Sequence, residues 1–126
     1  MKILIVDDEG AFLDALEGVL HEKGYEVVRA QNGKEAREAL EEEKIDLIIS
    51  DVYMPTLDGI RFHAFVREYT DAKDLPFIFI SGYDNLQLRD IAAKSSNDYF
   101  LRKPTPVEDI LALIEKVTRS PGGQSS

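Results

Sequence analysis

Five polar side chains in this sequence follow apolar runs and are of types that could do chemistry together: Asp7, Asp8, Asp51, Ser81 and Lys103. Two carboxylates about 4 Å apart repel each other by about 4 kcal/mol at an effective dielectric constant near 20. Three such groups in one place need protonation or a cation, and Lys103 offsets only part of their charge. A cluster of small acids that offers only oxygen ligands suits Mg²⁺. A carboxylate beside Mg²⁺, a lysine and a hydroxyl donor is equipped to attack a phosphoryl group.

These side chains can meet only if the elements before them end at the same place. Five short apolar runs alternate with amphipathic stretches, and they cover residues 2–6, 25–30, 46–50, 77–80 and about 99–101. The runs are too short for helices, and several are rich in β-branched residues without alternation. That pattern is typical of strands buried on both faces of a parallel sheet.

The amphipathic stretches predict five helices. Asn32 and Glu35 form a variant capping box, and Thr105-Pro106 is a strong helix start. The predicted apolar faces are Phe12, Leu16, Val19 and Leu20; Ala36, Ala39 and Leu40; Ile60, Ala64, Phe65 and Tyr69; and Ile110, Leu111, Ile114 and Val117, with a more polar helix at about 85–94. Five β-then-α units predict an α/β sandwich with right-handed crossovers and helices on both faces of a parallel sheet. The five polar residues would then share the ligand-binding edge at the carboxyl ends of the strands.

Length and composition exclude several classes of protein. The chain has 126 residues, enough for one domain, which we place at residues 1–119, with a flexible tail or linker at 120–126. Its 24 acidic and 15 basic residues give a net charge of −9, which disfavours direct binding to nucleic acid or anionic membranes. Neither a membrane span nor an export signal is evident, so we expect a cytoplasmic protein.

The absence of cysteine excludes disulfides, thiolate zinc sites and cysteine nucleophiles. Only two histidines are present, too few for a multi-histidine metal centre. We expect His21 and His63 to be ordinary surface or helix-face residues. The acidic run at residues 41–43 is expected to be a solvated helix face.

Four motifs in order resemble the receiver domain of two-component response regulators. They are Ile3-Leu4-Ile5-Val6-Asp7-Asp8-Glu9, Asp51-Val-Tyr-Met-Pro-Thr-Leu-Asp-Gly59, Ser81-Gly82 and Lys103-Pro104, within a resemblance that runs from Met1 to about Thr118. Each motif is weak alone, but all four in this order are specific. The resemblance implies a flavodoxin-like, doubly wound (βα)5 sandwich with strand order 2-1-3-4-5. It also implies a cis peptide bond between Lys103 and Pro104.

The resemblance also assigns the metal and phosphoryl positions. Asp51 corresponds to the phosphoacceptor. Asp8 would bind Mg²⁺ directly and Asp7 partly through water. The backbone carbonyl of Tyr53 matches the remaining protein ligand, beside Asp51 itself.

Further positions correspond to the switch of the family. Ser81 stands at the switch hydroxyl and Phe100 at the switch aromatic, although Phe100 could equally be ordinary core. Lys103 is expected to pair with Asp51 and then with its phosphoryl group. Tyr53 and Tyr83 flank the site, and their rings would shield a phosphoryl group on Asp51 from attacking water and prolong its lifetime.

The function that the resemblance implies is a signalling module rather than a turnover enzyme. It would accept a phosphoryl group from a sensor histidine kinase or phosphotransfer protein and act on a downstream effector domain or protein. The alternative is a protein-binding pseudo-receiver of the same fold that is never phosphorylated. An aspartate-nucleophile phosphatase would need a second acid where Tyr53 stands, and a flavin phosphate would be repelled by Asp7-Asp8-Glu9.

Overall fold

The computed structural model describes residues 1–52, 59–69, 72–82 and 86–119. Tyr53, Tyr83 and the predicted tail at 120–126 lie outside the described residues. The metal ligand assigned to the Tyr53 carbonyl, the shielding by Tyr53 and Tyr83, and the division at residue 119 therefore stay predictions.

The described residues form five strands and five helices that alternate along the chain, as predicted. The strands are Lys2–Val6 (β1), Glu26–Ala30 (β2), Leu47–Asp51 (β3), Phe77–Ser81 (β4) and Asp98–Arg102 (β5). The helices are Gly10–Glu22 (α1), Gly33–Glu42 (α2), Gly59–Glu68 (α3), Leu86–Lys94 (α4) and Val107–Arg119 (α5). None of these helices is long and apolar enough to cross a membrane.

All strand pairs are parallel, and the sheet has the order β2-β1-β3-β4-β5. The order and the doubly wound architecture confirm the predicted fold. β1 and β3 are neighbours, and the strand order reverses between them. That reversal creates the crevice at which open α/β sheets bind ligands.

Alternate residues of the strands supply two separate apolar layers. On one face, Leu4, Ile48 and Phe79 pack with residues of α2, α3 and α4. On the other face, residues such as Ile5 and Ile78 pack with α1 and α5. Because both faces are covered, the central strands are apolar throughout, which is why they appear in the sequence as unbroken runs.

Two predicted helix faces are rotated in the structure. In α1 the buried residues are Leu13, Leu16 and Leu20, and Phe12 is only half-buried. In α3 the buried side chains are Phe62 and Val66, whereas Ala64 of the predicted face is exposed. The prediction for α3 failed because its polar side chains on the inner side have partners there, described below.

The starts of α2 and α3 depend on particular residues, Asn32 and Gly59. The Asn32 side chain accepts a hydrogen bond from the Glu35 backbone N–H at 2.9 Å, which confirms the cap. The Glu35 carboxylate accepts from the Gln31 N–H at 2.8 Å, so the return bond reaches the residue before the cap. Gly59 opens α3 directly against the end of β3, where a Cβ atom would overlap the backbone of Asp51 and Val52. Glycine is needed there for close approach rather than for an unusual backbone angle.

Candidate functional site

The structure brings the predicted site residues to one edge of the sheet. Asp51 is the last residue of β3 and Ser81 the last residue of β4. Asp7 and Asp8 follow β1 directly, and Lys103 follows β5. The Lys103 N–H donates to the Ser81 carbonyl at 2.7 Å, which ties the ends of β5 and β4 together.

Three carboxylates form the centre of this edge. Asp7, Asp8 and Asp51 each offer an oxygen, and these oxygens lie within 4.8 Å of one another. Asp7 is buried at 1 % exposure, Asp51 is 11 % exposed in its side chain, and Asp8 is exposed to solvent. The cluster is therefore open on one side and closed on the other, and all of its ligand atoms are hard oxygens. That donor set fits Mg²⁺, which keeps several waters while it takes one or two carboxylates.

Burial and neighbouring charges raise the pKa of two of these carboxylates, Asp51 and Asp7. Burial, followed by the negative charge of Asp7, raises the pKa of Asp51 to about 6, although Lys103 acts in the opposite direction. Burial also raises the pKa of Asp7 and outweighs its hydrogen bonds from Lys103 and from the Glu9 N–H. Both shifts have the same main origin, because burial at this edge disfavours the charged form of each carboxylate, and the neighbouring carboxylate charges add to that effect.

Lys103 forms the predicted ion pair with Asp51 and has a closer partner that was not predicted. Its Nζ donates to Asp7 Oδ2 at 2.7 Å, while Asp51 Oδ2 is 3.8 Å away and Glu9 Oε1 is 3.7 Å away. Lys103 is thus hydrogen-bonded to Asp7 and paired with Asp51 at the longer distance. Burial alone would lower the pKa of Lys103, but the hydrogen bond to Asp7 and the surrounding carboxylate charges raise it. The other oxygen of Asp51 accepts a 2.7 Å bond from the Val52 N–H.

The resemblance also implied a conformation for the peptide bond that follows Lys103. The Lys103–Pro104 peptide bond is cis, which confirms the expectation drawn from the resemblance. The Thr105 hydroxyl, predicted to cap α5, donates back to the Arg102 carbonyl. The lysine is therefore followed by a turn that is bonded to the end of β5.

The two predicted switch residues, Ser81 and Phe100, lie on the neighbouring strands β4 and β5. Ser81 is fully buried at the end of β4. Phe100 is half-buried on β5, opposite Phe79 in the register, and packs toward the layer that contains α4. Its neighbour Tyr99 packs on the other face with α1 and α5, so Phe100 is the aromatic residue of β5 on the α4 side.

A buried polar cluster at the opposite end of the sheet was not predicted. The Asp98 carboxylate, 3 % exposed, accepts from Arg67 at 2.5 Å and contacts His63 Nε2 at 2.8 Å through the same oxygen. The His63 ring also packs against Phe77 and Phe79, with centroids 5.0 and 5.1 Å apart. His63 thus lies on a helix face, one of the two expected positions, but its contact with a buried carboxylate was not expected, and His21 is exposed as expected.

Known proteins place the chain in a family. The family model for the response regulator receiver domain matches residues 3–115. The chain is 35% identical over 116 residues, 92% of its length and 88% of the relative's, to an uncharacterized 14.6 kDa protein from Leptolyngbya boryana. It is 34% identical over 119 residues to the response regulator MprA of Mycobacterium leprae, and this match covers 94% of the chain but 51% of MprA. The chain thus spans about half the length of that relative.

Solved structures share the fold of this chain. The chemotaxis response regulator CheY4 of Vibrio cholerae superposes with a TM-score of 0.82 at 29% identity, covering 91% of this chain and 96% of CheY4. A two-component response regulator from Clostridium difficile gives 0.84 at 28% identity, covering 94% and 96%. The receiver domain of sensor histidine kinase PA1611 from Pseudomonas aeruginosa, which contains magnesium in its active-site cleft, gives 0.79 at 24% identity, covering 91% and 94%.

The chain belongs to the response regulator receiver domain family of two-component signal transduction. Members of this family are signalling modules. The acidic edge of the sheet brings together Asp7, Asp8, Asp51 and Lys103.

Proposed function

We propose that the chain accepts a phosphoryl group on Asp51, with Mg²⁺, from a sensor histidine kinase or phosphotransfer protein. The observation that carries the proposal is the convergence of Asp51 with Asp7 and Asp8 within 4.8 Å, with the Lys103 ammonium 3.8 Å from Asp51. These residues come from three different strand ends, so their meeting is a product of the fold rather than of local sequence.

The chemistry follows from the charges at this edge. An Asp51 carboxylate oxygen would attack phosphorus, the bond from phosphorus to the imidazole nitrogen of the donor would break, and that nitrogen would take up a proton. Asp8, Asp51 and the Tyr53 carbonyl would hold Mg²⁺, with Asp7 partly through water, and the metal would neutralise charge on the phosphoryl oxygens. Lys103 supplies a second positive charge, 2.7 Å from Asp7 and 3.8 Å from Asp51.

Incubation with a small phosphodonor such as acetyl phosphate and Mg²⁺ tests the proposal. Intact-mass spectrometry should show the addition of one phosphoryl group, and peptide mapping should place it on the segment that contains Asp51. Excess EDTA should prevent the addition. A chain that stays unmodified with the donor and Mg²⁺ would instead favour the pseudo-receiver, which shares the fold but not the chemistry.

The signal would leave the site through Ser81 and Phe100. A phosphoryl group on Asp51 could accept a hydrogen bond from the Ser81 hydroxyl and charge-assisted bonds from Lys103. Movement of Ser81 toward it would open space for Phe100 and alter the surface of α4, β5 and α5, where a downstream effector would bind. Backbone NMR shifts of the phosphorylated sample should change at Phe100 and along α4, and changes that omit both would contradict this route.

Magnesium alone should stabilise the folded chain. The acidic cluster exists only in the folded state, so a cation that binds there shifts the unfolding equilibrium. At a concentration ten times its dissociation constant the gain is about 1.4 kcal/mol. Differential scanning fluorimetry with Mg²⁺ against EDTA should show a higher melting midpoint for the wild-type chain, and a Glu41→Gln control should respond equally. An unchanged wild-type midpoint in millimolar Mg²⁺ would argue against the metal site.

A further inference from the structure

We propose that Phe12 is a positioning residue for Lys103, an inference that rests on the proposed phosphoacceptor function. The Lys103 Nζ lies 4.5 Å from the centre of the Phe12 ring, over its face. At this distance the negative face of the ring attracts the ammonium. Phe12 thereby fixes the position of the charge that is to meet the phosphoryl group.

The position of Phe12 in α1 explains how it reaches the site. The core side of this helix consists of Leu13, Leu16 and Leu20, so Phe12 is not needed at the centre of the apolar layer. It is half-buried at the edge of that layer, where it forms one wall of a cleft of about 490 Å³ beside Lys103 and Pro104. One side of the ammonium is therefore covered by an aromatic ring rather than by water.

The Phe12 ring is uncharged, whereas the other groups paired with the Lys103 ammonium are carboxylates. Asp7 is its direct partner, and Asp51 is within 3.8 Å, but both belong to the carboxylate cluster that would hold a divalent cation. Glu9 is 3.7 Å away and 64 % exposed, so solvent weakens its attraction. Of these contacts, the Phe12 ring alone carries no charge and ligates no metal. It can keep hold of the ammonium while the carboxylates change partners.

Holding the ammonium in place should increase the rate of phosphorylation. A long lysine side chain loses rotamer freedom when it engages a phosphoryl group, and a ring that already restricts it reduces that loss. Cation–π attraction of the usual strength corresponds to a factor of about 3 to 10 in rate. The effect should depend on the electron density of the ring and not only on its volume.

Two variants separate the effect of the aromatic ring from the effect of apolar volume. Phe12→Leu keeps an apolar side chain without the ring, and Phe12→Tyr keeps the ring. The matched control is Phe65→Leu on α3, because Phe65 also lies under a cation, the Arg37 guanidinium at 4.4 Å from its ring centre. Incorporation of fluorinated phenylalanines at position 12 weakens the negative ring face with little change in shape. That series remains informative if Phe12→Leu folds poorly.

Two measurements test the inference, and the first does not depend on phosphorylation. In the unphosphorylated protein, the Lys103 side-chain protons should show an upfield ring-current shift that Phe12→Leu removes and Phe12→Tyr and Phe65→Leu retain. The second is the initial rate with acetyl phosphate at saturating Mg²⁺, which involves no protein partner. Phe12→Leu should reduce this rate about 3- to 10-fold and fluorination should reduce it progressively, whereas Phe12→Tyr and Phe65→Leu should leave it near wild type.

The outcomes distinguish failure of the inference from failure of the proposed function. A wild-type protein that is not phosphorylated, with the ring-current shift present, would overturn the proposed function while it confirmed the contact. A wild-type rate in Phe12→Leu, or a rate indifferent to fluorination, would overturn the positioning role even if phosphorylation proceeds. Absence of the shift in the wild-type protein would remove the contact itself.

Discussion

Asp51→Asn is expected to abolish phosphorylation and, without divalent cations, to make the folded chain more stable. The first effect follows because an amide is not a nucleophile toward phosphorus and cannot form the acyl phosphate. The second follows because Asn avoids the cost of burying a charge and the repulsion from Asp7, while its Oδ1 can still accept the bond that the Val52 N–H donates to Asp51. A general loss of fold would predict the opposite sign for stability.

The dependence of this gain on pH follows from the pKa of Asp51. Burial and the charge of Asp7 raise that pKa from 3.8 to about 6, so the folded protein binds the proton more tightly than the unfolded chain does. As the pH rises from the lower of these values to the higher, the free energy of unfolding of the wild type falls by about 1.4 kcal/mol for each pH unit. This loss of stability is complete somewhat above pH 6. Below the ordinary pKa of 3.8, Asp51 is protonated in both states and causes no loss of stability.

Urea unfolding in EDTA measures whether Asp51→Asn stabilises the folded chain and over which pH range it does so. At pH 7.5 Asp51→Asn should exceed the wild type by roughly 2–3 kcal/mol, and the difference should shrink steadily as the pH is lowered below 6. Glu38→Gln, which removes one charge from an exposed position of α2, is the control and should change stability by less than about 0.5 kcal/mol. An Asp51→Asn variant that is less stable than wild type at pH 7.5 would contradict the proposed repulsion.

The carboxylate edge could be predicted from sequence because it depends on topology rather than on side-chain detail. Buried parallel strands appear as apolar runs, and a polar residue that ends such a run must lie at the carboxyl edge of the sheet. Asp7, Asp51 and Ser81 are placed in this way by the strands that precede them. The strand order itself came from the resemblance, because several orders satisfy the apolar pattern equally well.

Interactions that depend on one or two ångströms could not be predicted in the same way. Lys103 has three carboxylates within 4 Å, and the nearest, Asp7, is also the least exposed, which no spacing in the sequence reports. The face of α3 was misjudged for a related reason. His63 and Arg67 are polar and look solvent-facing in the sequence, but their partner Asp98 lies 35 and 31 residues further along the chain.

Asp98→Ala is expected to lower the free energy of unfolding by about 3–5 kcal/mol, the usual cost of breaking a buried ion pair on one side. Asp98 accepts from both Arg67 and His63, and its side chain is 3 % exposed. Its removal leaves a guanidinium and an imidazole facing an apolar cavity beside Phe77. Arg67 would keep its bonds to the Leu75 and Asn97 carbonyls, so the loop before β4 should stay attached to α3.

The pKa of Asp98 sets the pH range of this loss. Burial alone would raise the pKa, but the hydrogen bonds from His63 and Arg67 outweigh burial and lower it below its ordinary value of 3.8. A lowered pKa means that the unfolded chain binds the proton more tightly, so the contribution of Asp98 is complete above the ordinary pKa. The contribution is lost as the pH falls through the lowered value of the folded state.

Urea unfolding at pH 7 compares Asp98→Ala with Asp90→Ala, which breaks an exposed 3.2 Å pair with Lys94 on α4. The exposed pair should cost at most about 0.5 kcal/mol. Asp98→Asn keeps an acceptor but loses the charge, so it should fall between the two, at about 1–3 kcal/mol. If Asp98→Ala costs no more than Asp90→Ala, the buried cluster of Asp98, His63 and Arg67 does not anchor α3 to β5.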